Sequence, residues 1–128
     1  MGETELKAKT RLKLKKVLEG SVVLRHEDIF TAGIPDFSIT WNGKVCWIEA
    51  KHANPSLKGK KIQLVTMMRL RNQTEYCRYL IFHERKNIKE TRIVEPVHVY
   101  RKEWMMSGES VEGFDYDFVA DYFRRLMQ

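Results

Sequence analysis

Two acidic residues and a lysine form the pattern in this chain with the clearest chemical meaning. Asp36 follows Gly33-Ile34-Pro35, and Glu49 and Lys51 come later in the sequence. Between them, Trp41-Asn42-Gly43-Lys44 contains the Asn-Gly pair typical of a two-residue type I′ turn, in which both central residues need a positive φ. Counting back from this turn places Asp36 opposite Glu49. The two carboxylates are therefore expected to face each other across a β-hairpin.

Two carboxylates in this arrangement favour a divalent cation. Directly opposed residues on paired strands have Cβ atoms only ~4.5–5.5 Å apart, so like charges there repel each other unless something compensates them. Lys51 lies two residues beyond Glu49 and therefore points to the same face of the strand. Mg²⁺ binds carboxylate, water and phosphate oxygens. A metal here would activate a water for attack on a phosphate, and Lys51 would either orient that water or neutralise the phosphate.

The string Gly-x-Pro-Asp, a hairpin and then Glu-x-Lys resembles the PD-(D/E)XK nuclease superfamily. Gln63, near the start of a helical segment, resembles the glutamine of its VRR-NUC and Holliday-junction-resolvase-like branch. The resemblance covers about the first two-thirds of the chain. It implies an α/β fold with a restriction-endonuclease-like αβββαβ core, in which helices flank a central mixed sheet. It also implies Mg²⁺- or Mn²⁺-dependent phosphodiester hydrolysis, with Asp36, Glu49 and the backbone carbonyl of Ala50 as metal ligands.

A glutamate on the first helix often completes such a site in this superfamily. Glu3 and Glu5 are both candidates, and Glu5 is favoured because Ala8 and Leu12 follow it at helical spacing. The helix dipole also favours acids in a first turn, so Glu5 could have only that role. Gln63 would hydrogen-bond the attacking water or a phosphate, although glutamine is also an ordinary helix former.

Positive charge is concentrated next to the acidic motif. The chain has 128 residues and a formal net charge of +6, and residues 50–74 include lysines and arginines but no acid. Lys58, Lys60 and Lys61 are therefore expected to bind nucleic acid, and Arg25 is a further candidate contact to its backbone. Binding through such a patch weakens steeply with salt. A solvated basic surface is the alternative interpretation.

The composition suits one intracellular domain. Hydrophobic residues make up 43% of the chain and charged residues 31%, as in a single globular domain over residues 1–128. We find no signal peptide and no run that could cross a membrane, so we expect a cytoplasmic protein with no membrane partner. Cys46 and Cys77 are expected to be buried free thiols.

Hydrophobic spacing predicts the elements that position the motif. We expect helices at residues 4–19, 58–71 and 116–127, and strands at 21–25, in the 36–51 hairpin, at 76–83 and at 92–100. The second helix should turn Ile62, Val65 and Met68 toward the core. Pro96 indicates that the last strand, an addition to the core, lies at an edge of the sheet. An apolar stripe on the last helix should cover the sheet or form a dimer interface.

These features together predict a metal-dependent, structure-selective DNA endonuclease acting on branched, flapped, single-stranded or duplex DNA. A non-catalytic nucleic-acid-binding module with the same fold is one alternative, and a subunit that needs a partner for substrate choice is another. Symmetric cutting of a four-way junction would favour a two-fold homodimer.

Overall fold

The structure is a computed structural model that describes residues 2–26 and 33–128. The elements in this part of the chain are α1 (Glu3–Val17), β1 (Val22–Arg25), β2 (Phe37–Trp41), β3 (Lys44–Ala53), α2 (Lys61–Gln73), β4 (Cys77–Arg85), β5 (Ile88–Val94), α3 (Pro96–Tyr100), β6 (Glu109–Glu112) and α4 (Tyr116–Leu126), with a 3₁₀ turn at Trp104–Met106. The strands form one sheet in the order β1 to β6. Only β3 and β4 are parallel neighbours among them. The fold is therefore α/β with an open mixed sheet.

The sheet separates two hydrophobic clusters. Successive residues of β4 alternate between its faces, because Leu80 and Phe82 belong to one cluster and Tyr79 and Ile81 to the other. The first cluster includes Leu6 and Leu14 of α1 and Val119 and Phe123 of α4. The second includes Met67 of α2. Helices α1 and α4 therefore cover one face, and α2 covers the other.

The predicted hairpin is confirmed. Asn42 and Gly43 have φ values of 51° and 73°, as a type I′ turn requires. Trp41 pairs with Lys44, and the register continues to Phe37 opposite Ile48. Because β3 extends beyond this pair to Ala53, its last residues run past the end of β2 while still pairing with β4.

The predicted inward face of α2 is wrong. Ile62 is 47% exposed and Val65 43% exposed, whereas Met67 is fully buried. Leu64 packs with Met67 against the second cluster. The helix carries apolar residues at three-residue spacing along two different rows, and the row that fits against the sheet is the one that begins at Leu64.

The strand predicted at residues 92–100 is only partly correct, and its placement at an edge of the sheet is wrong. β5 ends at Val94 and lies between β4 and β6, and Pro96 begins α3. Proline suits the first turn of a helix because an N–H there has no acceptor within the helix, so its absence loses no hydrogen bond. The edge strand beside β5 is β6. It has the sequence ESVE and is largely exposed, so no hydrophobic pattern predicted it.

The stripe on the last helix covers the sheet. Val119 and Phe123 are fully buried in the first cluster, and partly buried Phe118, Tyr122 and Leu126 pack against it. Asp115 begins the helix, and its side chain accepts a hydrogen bond from the Phe118 N–H (2.9 Å). This apolar surface is therefore used within the chain.

The two cysteines are buried free thiols, as predicted. Burial raises the pKa of Cys46 and raises that of Cys77 to about 12, so neither is a ready nucleophile at neutral pH. No helix in the described ranges combines the length and apolar character needed to cross a bilayer.

Gly33 and Gly20 provide a matched test of how closely the segment that leads to Asp36 packs on α2. Both have positive φ, but a Cβ at Gly33 would lie 2.7 Å from the Ile62 carbonyl oxygen, whereas a Cβ at Gly20 would meet nothing within 4 Å. Left-handed backbone costs an L residue about 1–2 kcal/mol. We expect Gly20→Ala to lose about that much free energy of unfolding in urea titrations and Gly33→Ala to lose clearly more. Equal losses would contradict the close approach.

Candidate active site

Asp36 and Glu49 meet where β2 ends. The Asp36 N–H donates a hydrogen bond to Glu49 Oε1 (3.1 Å), and the Ala50 N–H donates one to Asp36 Oδ2 (2.9 Å). Each carboxylate therefore accepts a hydrogen bond from the backbone of the other strand. Glu49 is fully buried, and the Asp36 side chain is 14% exposed. These reciprocal bonds fix both acids on one face of the sheet.

Pro35 has no N–H to offer to the edge of β3 that faces β2. The β2–β3 pairing ends at Phe37 opposite Ile48. Continued by two residues on each strand, the same register would set Pro35 opposite Ala50. A residue at position 35 with an N–H would be placed to donate to the Ala50 carbonyl, and proline has none. The Ala50 N–H and the Ala50 carbonyl lie on the same edge of β3. The N–H donates its hydrogen bond to Asp36 Oδ2. The Ala50 carbonyl thus lies on the Asp36 side of β3 without that ladder donor.

Glu49 is strongly perturbed by its surroundings. Burial, followed by the negative charge of Asp36, raises the pKa of Glu49 from 4.5 to about 8, while Lys51 and Lys7 oppose the shift. Its Oε2 atom is buried with no hydrogen-bond partner in the described part of the chain. Glu49 is therefore mainly protonated at pH 7, and a cation placed beside Oε2 would promote loss of that proton.

Lys51 and Gln63 are in direct contact. Lys51 Nζ donates a hydrogen bond to Gln63 Oε1 (2.8 Å) and lies 3.6 Å from Glu49 Oε2. The lysine side chain is only 7% exposed. Gln63 Oε1 also accepts a longer bond from the Lys60 N–H (3.4 Å), which caps the start of α2. The glutamine therefore supports the helix end and positions the lysine.

The first helix turns Glu3 rather than Glu5 toward the site. Glu3 Oε1 lies 3.9 Å from Lys51 Nζ. Glu5 is exposed and forms no hydrogen bond or ion pair with another described residue. Leu12, the residue used to orient the helix from sequence, is 65% exposed, whereas Leu6 is buried. The structure does not bring Glu5 to the other predicted site residues.

Lys7 is a site residue that the sequence pattern did not identify. It follows Glu3 by one helical turn, and its Nζ lies 2.8 Å from Asp36 Oδ1. Both side chains of this ion pair are 14% exposed, so solvent screens it less than a surface pair. The spacing of Glu3 and Lys7 at i and i+4 could have suggested a shared helix face, but only the tertiary packing shows which face meets Asp36.

The predicted basic residues lie on two sides of this centre. Lys58, Lys60 and Lys61 line a cavity of about 430 Å³ that also borders Lys51. Arg25 is the last residue of β1 and pairs with Phe37, next to Asp36 in the chain. A negatively charged strand crossing the site would meet lysines on the cavity side. Contact of these residues with nucleic acid stays a prediction.

The donor set fits a hard divalent cation. Asp36 and Glu49 supply carboxylate oxygens, and Ala50 supplies a carbonyl on the same side. The described residues contain no cluster of three or more His, Cys, Asp or Glu side chains suited to a metal, so water or substrate would have to supply further ligands. The orphaned Oε2 of Glu49 is the oxygen that gains most from a cation, because it has no hydrogen bond to lose.

The raised pKa of Glu49 predicts a specific pH dependence of stability. Folded Glu49 holds a proton between about pH 4.5 and 8, and the unfolded residue does not, so its contribution is present below pH 4.5 and is lost as pH rises through 8. Glu49→Gln keeps a neutral side chain at every pH. In EDTA, we expect the Tm of the parent to fall relative to that of Glu49→Gln from pH 5 to pH 9. Parallel pH profiles would contradict the shift.

Comparison with known proteins does not assign a family to this chain. No family model matches it, and a search of curated proteins finds no significant match. Support for a function comes from the site itself. Two carboxylates joined by reciprocal backbone hydrogen bonds lie beside a buried lysine held by a glutamine.

Proposed function

We propose that this protein is a Mg²⁺- or Mn²⁺-dependent endonuclease that hydrolyses DNA phosphodiester bonds and selects DNA by structure, with a restriction-endonuclease-like core of the VRR-NUC or resolvase-like type. The reciprocal hydrogen bonding of Asp36 and Glu49 beside Lys51 carries this proposal. The first six elements support it, because they follow the order helix, three strands, helix, strand that the resemblance implies.

The two acids and the Ala50 carbonyl are the residues that would hold the metal. A bound divalent cation would lower the pKa of a water molecule and offset charge on the phosphate. Asp36 and Glu49 are suited to this because their backbone hydrogen bonds fix their orientation beforehand. Glu49 would release its proton when the cation binds, so the affinity for the cation should rise with pH.

Lys51 would act on the phosphate side of the same centre. Its ammonium group is held by Gln63 at 2.8 Å and directed toward Glu49 Oε2 at 3.6 Å. From this position it would donate a hydrogen bond to a phosphate oxygen or orient the attacking water. Gln63 would fix the lysine in place, so it is a positioning residue in this proposal.

A cleavage panel tests the proposal directly. Purified protein should cut at least one of branched, flapped, single-stranded or duplex DNA in Mg²⁺ or Mn²⁺. Lys51→Ala should lower the rate by ~10²–10⁴-fold, the range typical of a positioned proton donor. Lys89→Ala is the matched control, because Lys89 is 55% exposed and pairs with Glu84 in the β4–β5 hairpin. No cleavage of any substrate, or equal rates for parent and Lys51→Ala, would refute the nuclease assignment.

A non-catalytic nucleic-acid-binding module is a second candidate, favoured by the Lys7 contact. The Lys7 ammonium lies 2.8 Å from Asp36 Oδ1 and already compensates that carboxylate. Protonation of Glu49 removes the second negative charge. The site could therefore be stable without any metal, as a relic of a catalytic centre would be.

The response to Mg²⁺ separates the two candidates. An enzyme should gain stability from Mg²⁺, by about 2.7 kcal/mol when the ion is at 100 times its Kd. Lys7→Gln should enlarge the Mg²⁺-induced rise in Tm because it removes a competitor from Asp36, whereas Lys9→Gln, on an exposed part of the same helix, should not. A binding module would show no Mg²⁺ shift in the parent, and its salt-sensitive DNA binding would survive Asp36→Asn.

A further inference from the structure

A cavity next to Lys51 has features that phosphodiester cleavage alone does not require. Its volume is about 430 Å³, within the ~300–1,000 Å³ range of sites that enclose a small molecule. It lies between the segment that leads into α2 and the segment from α3 to the 3₁₀ turn. Apolar side chains form much of its lining, namely Leu57, Leu64, Val99, Trp104 and Met105.

The floor of this cavity is held firmly. Trp104 is 7% exposed and stacks edge-on against His83, with ring centroids 5.0 Å apart. Tyr79 is 3% exposed and neighbours Glu49 across the parallel strand pair. The cavity is therefore anchored to the same strands that carry the acids, and its distance from them is set by the sheet.

The charge around the cavity has one sign. Its lining includes five lysines and no acidic residue; the lysines are Lys51, Lys58, Lys60, Lys61 and Lys102. A ligand that matches this surface has a flat or apolar body and negative charge attached to it. A nucleobase with its flanking phosphates has both properties.

Gly59 keeps the cavity and the candidate active site in direct contact. A Cβ at position 59 would lie 3.3 Å from both Lys51 Cε and Nζ, closer than most side chains tolerate. Glycine therefore allows the loop to approach the lysine. If a phosphate of a DNA strand reaches Lys51, the neighbouring nucleotide of that DNA strand would lie at the mouth of this cavity.

We propose that the cavity binds one unpaired nucleotide of the DNA strand whose phosphate lies at Lys51. The base would pack against Leu57, Val99 and Met105, and the lysines would bind the adjoining phosphates. A base within a duplex stays stacked between its neighbours, and taking it out costs energy that an already unpaired base does not require. This inference rests on the proposed function, and it makes DNA with an unpaired extension or flap the preferred substrate class.

Two neighbouring methionines provide the test. Met105 lines the cavity and is 52% exposed, while Met106 is 88% exposed and does not line it. Anisotropy in EDTA would compare binding of a blunt duplex with binding of the same duplex carrying a short unpaired extension. We expect the parent to bind the extended duplex about tenfold tighter, because the base and the apolar side chains that it contacts are removed from water. Met105→Asp should abolish this preference, and Met106→Asp should retain it.

A second pair of variants keeps the test independent of the carboxylate introduced at position 105. Lys102 lines the cavity, whereas the adjacent exposed Arg101 does not. Lys102→Gln should reduce the preference for the extended duplex more than Arg101→Gln does, although each removes one positive charge. Circular dichroism would verify that all four variants are folded.

Two outcomes would overturn the proposal. They are equal affinity of the parent for the two duplexes, whether or not free deoxyadenosine monophosphate binds in the cavity, and equal effects within both variant pairs. Since binding is measured in EDTA, the two failures can be told apart: a lack of cleavage with the preference for the extended duplex retained would refute the nuclease assignment but not the binding of an unpaired nucleotide. Cleavage of both duplexes with no difference in binding would do the reverse.

Discussion

The reciprocal hydrogen bonding at the end of the β2–β3 hairpin is the constraint on which the candidate site depends. Asp36 and Glu49 can exchange backbone bonds only in the register that Asn42-Gly43 sets. Slipping the strands by one residue would move one acid to the opposite face of the sheet, because side chains alternate with a period of two. A local turn preference therefore decides whether two carboxylates can share one site.

This arrangement has an electrostatic cost that neighbouring elements offset. Burial of Glu49 raises its pKa to about 8, so it avoids a buried negative charge by keeping a proton at neutral pH. Asp36 is instead compensated by Lys7 of α1 at 2.8 Å. On the other face of the sheet, Gln63 of α2 holds Lys51 close to Glu49, and the neutral glutamine leaves the positive charge of Lys51 in place. Side chains from helices on opposite faces of the sheet thus contact the site at one strand end.

The parts of the site that the sequence predicted are those fixed by local rules. The turn residues determine the register, and the alternation of β3 places Lys51 with Glu49. Helix rotation was harder to predict, because α2 carries two apolar rows and the exposed Leu12 misdirected the choice of Glu5. Tertiary packing selects between such faces, and no spacing rule within one helix contains that information. The same holds for the cavity, which joins segments far apart in sequence.

The charges of the described site suggest how metal and substrate would depend on each other under the proposed function. With Glu49 protonated, the negative charges of Asp36 and Glu3 balance the ammonium groups of Lys7 and Lys51. A divalent cation alone would upset this balance, even after Glu49 lost its proton. A phosphodiester supplies the one remaining negative charge. Cation and DNA should therefore bind more tightly together than separately, because in this partly buried site each compensates the charge that the other leaves unpaired.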